Sequence, residues 1–442
     1  MRILVEHSGY DLLNLGDVAM LQACVRRLER RWPDAEVQVV SHSPQALQAL
    51  CPGTIPLGPD LVDRPVIRSL PRRWRLGAEQ AYRTAAPLLP MRRDTAPAQP
   101  QPRSLRAAVQ AADVVVAAGG GYLCDPMWWH GLGVLATLRG AQRLGRPTAM
   151  FGQGIGPLTI RPFARLATAV LDRLDVLTLR EAPSGLQFLE DRRLLPTGQR
   201  DVRAEDLRAP LSITRGGASV AVTGDDALAD VMHVGSAGTR SREALIGVNI
   251  RVSDYSGVRE DTLPSFREAV TAVARDLGVD LLALPVSQYS QEADLPAVAR
   301  ALSHTDGQIR PRLTADPVRT PTELIRAAGR CQAVITGSYH AAVFALGQGV
   351  PVVGLSASGY YDQKFTGLRH LYPGLVQMVR LEDPDLRAQL VGAIRRAVRS
   401  PADVRARGVA DSKRLVELAD TSFEAFAQAV DQRRRGGQHG RG

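Results

Sequence analysis

Four short clusters hold the residue types with which this chain could do chemistry. The first, His7-Ser-Gly-Tyr-Asp-Leu-Leu-Asn14-Leu-Gly16-Asp17, follows an apolar opening at Ile3–Val5. Asn14 is a candidate ligand contact, and Gly16 lets backbone approach a bound group. Asp17, placed just before a helix, either caps that helix or orients and deprotonates a hydroxyl. The second cluster is Gly119-Gly120-Gly121, whose bare N–H groups could face an anion or a sugar. Neither a dinucleotide fingerprint nor a P-loop accompanies it. The third is Arg180-Glu181, where the arginine either forks a carboxylate or phosphate or is a surface cation. The fourth runs Thr336-Gly337-Ser338-Tyr339-His340 and on to Lys364. His340 opens an apolar helix, whose N–H groups can hold an anion beside an imidazole that exchanges protons near neutral pH; a structural histidine is the other reading. Ser338 stands in the same turn. Lys364, which with Lys413 makes up the chain's two lysines, is expected in the next strand-end loop, where a compact ammonium would be required.

These clusters need elements to position them. Short apolar runs at Ile3–Val5, Glu36–Ser41, Asp113–Ala118, Pro147–Gly152, Val176–Leu179 and Val220–Val222 alternate with helical periodicity. The rhythm restarts with Leu245–Ile250, Asp280–Pro285, Ala333–Thr336 and Pro351–Leu355. Strands alternating with helices predict parallel sheets, and two such runs predict two doubly wound α/β domains facing each other. Ligands in that architecture sit beyond the C-terminal strand ends, where nearly all the clusters fall.

At 442 residues the chain suits two cores rather than one. The predicted division is a Rossmann-like domain over 1–227, a linker over the aperiodic 228–244, and a second Rossmann-like domain over 245–400. A C-terminal helix with a disordered basic tail is expected over 401–442. A Pro- and Arg-rich insertion near 56–104 interrupts the first domain, and its basic, Trp-containing part could touch a membrane surface. No apolar run is long enough to span a bilayer and no signal peptide pattern opens the chain, so a cytoplasmic location is expected. The formal charge of +10 rests almost wholly on arginine and suits an anionic substrate or lipid surface. Aromatic residues make up only 5% and no basic helix interleaves them, so nucleic acid is not an expected partner. Cys24, Cys51, Cys124 and Cys331 show no metal-ligand spacing and are expected as buried or half-buried thiols. No metal is expected.

Asn14-Leu-Gly-Asp17, Ala117-Ala-Gly-Gly-Gly121, Gly152-Gln-Gly-Ile-Gly-Pro157, Thr178-Leu-Arg-Glu181, Asp226-Ala, and His340 followed by Gly349-Val-Pro and Lys364 occur in one order. That ordered set, from residue 1 to about 370, resembles the polysaccharide pyruvyl transferase family. The resemblance implies two Rossmann-like lobes in the glycosyltransferase-B manner, with the cleft between them. It implies phosphoenolpyruvate as co-substrate, with no further cofactor, and a ketal-linked pyruvate on a cell-surface glycan or its lipid-linked precursor as product. Such an acceptor would suit the inner face of the membrane. Arg180, His340 and Lys364 match the Arg, His and Lys expected around phosphoenolpyruvate. Ser338 stands where family members often carry Arg, and Val18 where an acidic residue is often found. A nucleotide-sugar glycosyltransferase on the same fold and an inactive glycan-binding relative are the alternatives.

Overall fold

A computed structural model describes residues 1–58, 104–195, 211–212, 219–235, 243–252, 256–290, 293–303, 311–312 and 318–439. Most of the 56–104 insertion therefore lies outside the described residues. Two parallel sheets form two lobes. The first contains β1 (Arg2–Glu6), β2 (Glu36–Val40), β3 (Ile55–Leu57), β4 (Val114–Ala117), β5 (Gly120–Leu123), β6 (Thr148–Ile155), β7 (Val176–Leu179), β8 (Leu211–Ser212) and β9 (Ser219–Val222). Its order is β3-β2-β1-β4-β6-β7-β9-β8, with β5 also on β6 and only β8 antiparallel. The second contains β10 (Leu245–Asn249), β11 (Asp280–Ala283), β12 (Pro311–Arg312), β13 (Ala333–Thr336), β14 (Val352–Ser356) and β15 (Val376–Arg380), ordered β12-β11-β10-β13-β14-β15. This is the doubly wound arrangement that the sequence predicts.

Helices cover both faces of each sheet, so the central strands read as continuous apolar runs rather than alternating ones. Val114–Ala117 and Ala333–Thr336 are buried at every position. Each sheet reverses its winding once, between β1 and β4 in the first lobe and between β10 and β13 in the second. Crevices open at such reversals. The first is flanked by the loop after Glu6 and by Ala118–Gly121, the second by Ile250-Arg251 and by Gly337–His340.

The segment expected to be a plain linker, 228–244, contains the helix Leu228–Gly235. Leu228 and Val231 are buried in the second lobe's core beside Phe344 and Leu346, which a free linker could not achieve. The stretch after Ser358, expected as a loop, is the helix Gly359–Leu371, which seats Phe365 and Leu368 in the core at four- and three-residue spacing from Tyr361 and Phe365. Strand β15 had no counterpart in the predicted set.

The last helix, Ala402–His439, returns to the first lobe. Phe423, Phe426, Ala427 and Val430 enter that lobe's core, with Phe426 against Phe151 at 5.8 Å between ring centres and Phe423 against Trp32 at 6.2 Å. Arg433 pairs with Asp175 at 2.5 Å. Of the expected disordered end, Gly436–His439 continue the helix and 440–442 lie outside the described residues. No helix among the described residues is long and apolar enough to cross a membrane. All four cysteines are buried, and none is in a disulfide.

Phe426 is fully buried on a helix that joins the two lobes. Phe426→Ala should cost about 3–5 kcal/mol, the range for deleting a core phenylalanine. Denaturant unfolding followed by tryptophan fluorescence checks this; a midpoint unchanged from the parent would mean that the last helix is not part of the first core.

Candidate active site

The strand ends of the two lobes meet at a group of buried charges. Arg180, directly after β7, is 1% exposed. Its Nε donates to Glu181 Oε2 at 2.8 Å, and its Nη1 lies 3.8 Å from Asp225 Oδ2. Its guanidinium stacks 4.2 Å above the ring of Tyr339 from the second lobe. Nη2 has no hydrogen-bond partner among the described residues and points at Gly121. A Cβ on Gly121 would sit 2.6 Å from that nitrogen, and one on Gly154 would sit 2.7 Å from Nε. Burial disfavours the arginine's charge, but Glu181, Tyr339 and Asp225 outweigh that and hold the proton more firmly than usual.

Asp225 lies in the loop after β9. It is 3% exposed and accepts from the Ala227 amide at 2.9 Å. Its Oδ2 faces His340 Nε2 at 3.5 Å, an ion-pair distance without a hydrogen bond between them. Burial pushes the Asp225 carboxyl up, but the imidazole, then Arg180 and the Ala227 amide, bring it below the usual aspartate range. Asp226 turns the opposite way and accepts from Arg27 Nη1 at 2.5 Å; the same Arg27 donates through Nε to Asp420 of the last helix at 2.8 Å. Adjacent carboxylates thus serve the cleft and the helix that closes the first lobe.

His340 is 6% exposed and lies in the first turn of the helix Tyr339–Leu346, after the N-cap Ser338. Its ring packs directly on Gly16, where any Cβ would overlap Cγ, Nδ1 and Cβ of the histidine. What Gly16 admits is therefore this side chain from the other lobe. Asn14 caps the helix Leu15–Arg31, accepting from Gly16 N at 3.0 Å and Asp17 N at 3.3 Å. Asp17 accordingly does not cap the helix; it sits in the first turn, with its Oδ2 and the Tyr289 hydroxyl each beside Gly9. The preceding loop holds Leu12 at φ +58°, a strained conformation for leucine that costs about 1–2 kcal/mol. A backbone clasp supports it: Leu15 N donates to Val286 O at 3.0 Å and Gln288 N to Leu13 O at 2.7 Å.

Lys364 lies on the helix Gly359–Leu371, not in a loop. It is half-buried, with Nζ 4.0 Å from the ring centre of Tyr360. The Tyr360 hydroxyl donates to Gly121 O at 3.3 Å, which carries the contact into the first lobe. Tyr339 donates to Glu181 Oε2 at 3.2 Å, and Gly367 packs against the Glu181 side chain. Ser358 Oγ, at the start of the same helix, is buried without a hydrogen-bond partner among the described residues.

Arg180, His340, Lys364 and Gly121 are therefore brought together, and Asn14, Asp17 and Ser338 border them. Gly119 and Gly120 face inward: the space a Cβ would need is taken by Met20 at the first and by Tyr122 at the second. The sequence reading gave no role to Asp225 or Tyr360, and took in Glu181 and Tyr339 only as neighbours of Arg180 and His340. Asp225 was detectable as a second acidic residue in a Gly-Asp-Asp strand end; the tyrosines adjoin the chosen His340 and Lys364 but carry no distinctive spacing.

The sequence matches the family described as polysaccharide pyruvyl transferase over residues 14–197 and 200–359. Among solved structures, the chain is similar to UDP-GlcNAc 2-epimerase from Neisseria meningitidis bound to UDP-GlcNAc, with 9% identity, 97% of this chain and 100% of that chain covered, and a TM-score of 0.55. It is similar to a putative UDP-N-acetylglucosamine 2-epimerase from Listeria monocytogenes, with 12% identity, coverage of 96% and 93%, and a TM-score of 0.51. The calicheamicin glycosyltransferase CalG4 aligns at 14% identity, coverage of 98% and 97%, and a TM-score of 0.50. At these identities the likeness is one of fold, the two-lobed glycosyltransferase-B architecture. No curated protein matches the chain.

Gly16 allows a direct comparison of substitutions. Gly16→Ala should cost about 1–3 kcal/mol through overpacking against His340. Gly58→Ala, with nothing among the described residues within 4 Å, should stay within about 0.5 kcal/mol of the parent. Paired melting curves decide it; equal melting of the two variants would mean that His340 does not rest on Gly16.

Proposed function

The chain belongs to the polysaccharide pyruvyl transferase family, and on that premise we propose that it transfers a pyruvyl group from phosphoenolpyruvate to a sugar of a cell-surface polysaccharide or its lipid-linked precursor. The observation that carries this reading is the buried Arg180, whose Nη2 has no hydrogen-bond partner among the described residues and whose guanidinium shares the Tyr339 ring with Lys364 of the other lobe. A buried guanidinium with a free donor is a standing demand for an anion. Two cations from opposite lobes suit a donor that carries both a carboxylate and a phosphate.

In this reading Arg180 and Lys364 hold the donor's anionic groups, and the Gly121 and Ser338 backbone lies alongside. Gly119, Gly120 and Asn14 act one step back: the two glycines let strand and loop pack closely, and Asn14 fixes the helix start that carries Asp17. His340, oriented by Asp225, takes a proton from an attacking sugar hydroxyl, and a positioned histidine of this kind contributes about 10²–10⁴-fold in rate. Asp17 positions that hydroxyl from the first-lobe side. The acceptor chemistry suits a cytoplasmic protein working at the inner face of the membrane.

Titration calorimetry with phosphoenolpyruvate should show binding that weakens as salt rises, because the charges that hold it are screened. Arg180→Ala should lose about 2–4 kcal/mol of that binding. Since the substitution strands Glu181 and Asp225, it should also lose about 3–5 kcal/mol of stability, so a melting curve fixes the titration temperature. His340→Asn should keep the fold and lower phosphate release by at least about 100-fold. Binding of a nucleotide sugar with no response to phosphoenolpyruvate would overturn the reading.

A further inference from the structure

Simple anion binding does not explain how Lys364 is housed. Its Nζ lies 4.0 Å from the ring centre of Tyr360, 5.4 Å from that of Tyr361 and 5.8 Å from that of Tyr339. No carboxylate or hydrogen-bond acceptor partners it among the described residues. The Tyr360 and Tyr339 hydroxyls are directed away, to Gly121 O and Glu181 Oε2. The nearest cation, Arg180, shares the Tyr339 ring at 4.2 Å. A fixed positive charge could have been an arginine, as all but two of the chain's 55 lysines and arginines are, whereas a lysine can release its proton where its charge is disfavoured. Ring faces attract an ammonium but supply no counter-charge.

We propose that Lys364 supplies the proton for the methylene carbon of phosphoenolpyruvate, taking that proton from water as the donor anion binds. This rests on the donor assigned above. The groups facing the lysine are Arg180 and Glu181 after β7, Cys124 after β5, Asp17 from the first-lobe helix, Tyr339, and its own helix's Tyr360 and Tyr361. Burial, then the Arg180 charge, pushes the ammonium down to about 7, against the pull of Cys124, Glu181 and Asp17. An arriving carboxylate and phosphate reverse that balance and favour the charged form. The lysine is thereby partly charged near neutral pH in the free protein and becomes fully charged when the donor binds.

The step balances. The Nζ–H bond breaks and a C–H bond forms at the methylene carbon from the double-bond electron pair, leaving positive charge at the adjacent carbon. A sugar hydroxyl oxygen bonds to that carbon, phosphate departs with its electron pair, and a second hydroxyl of the same sugar closes the ketal. Of the two hydroxyl protons, which pass through His340, one returns to Lys364 and the other leaves with phosphate. Nothing is oxidised or reduced.

The chain has only two lysines, so lysine labelled with ¹³C and ¹⁵N gives two side-chain signals, assigned with Lys413→Arg. In the free full-length protein the Lys364 signal should titrate near neutrality, and saturating phosphoenolpyruvate should raise its midpoint by more than about one pH unit, a tenfold change in proton affinity. Lys364→Arg, which is always charged, should bind phosphoenolpyruvate more weakly than the parent, still measurably by calorimetry, and without the proton uptake that buffers of different ionisation enthalpy reveal. A Lys364 that stays charged to pH 9 in the free protein, or a midpoint unmoved while thermal shift records donor binding, overturns the proposal and leaves the donor reading standing. Absence of thermal shift with phosphoenolpyruvate overturns both.

Discussion

The fold is organised around a carboxylate that cannot be hydrated. Asp225 is buried between Arg180 of its own lobe and His340 of the other. A charge so placed must be compensated by fixed partners, and removing one partner of a buried pair generally costs about 3–5 kcal/mol. The two lobes are therefore not free to choose their relative position: the imidazole must reach Asp225, and it does so over Gly16, the one residue type that leaves room. Around this point the other close approaches line up, with Gly367 on Glu181 and Tyr360 on Gly121.

The same loop distributes its charges in two directions. Asp225 serves the cleft, while Asp226 serves Arg27 and, through it, Asp420 on the last helix. The helix Ala402–His439 thus contributes to the site without entering it. It buries Phe423 and Phe426 in the first core and fixes the arginine that holds the loop. Arg180 Nη2, without a hydrogen-bond partner among the described residues, is the group at which an anionic ligand would gain most.

Much of the architecture was legible in the sequence because parallel strands covered on both faces are short, uniformly apolar runs, and Val114–Ala117 and Ala333–Thr336 read as nothing else. The strand ends were legible for the same reason: Arg180 and His340 are polar residues at the point where such a run stops. Contacts between lobes were not. Gly16 reads as a generic loop glycine until His340, far along the chain, is seen to rest on it. Asp17 reads as a cap because the true cap, Asn14, lies one turn earlier and both residue types cap well. The helix around Lys364 was hidden because Gly359 and paired tyrosines carry little helical propensity, and tertiary burial of Phe365 and Leu368 decides the local structure. Gly119 and Gly120 show the converse, glycines at a strand end that are required by Met20 and Tyr122 behind them.

The central claim is that both lobes together build one site for the donor anion. Amide hydrogen exchange with and without phosphoenolpyruvate tests it most directly, since it reads each lobe separately and needs no acceptor. The account predicts slower exchange on both sides of the junction, at Gly121–Cys124 and Leu179–Glu181 in the first lobe and at Ser338–Ala341 and Gly359–Lys364 in the second. Protection confined to one lobe, or produced by a nucleotide sugar and not by phosphoenolpyruvate, would contradict it.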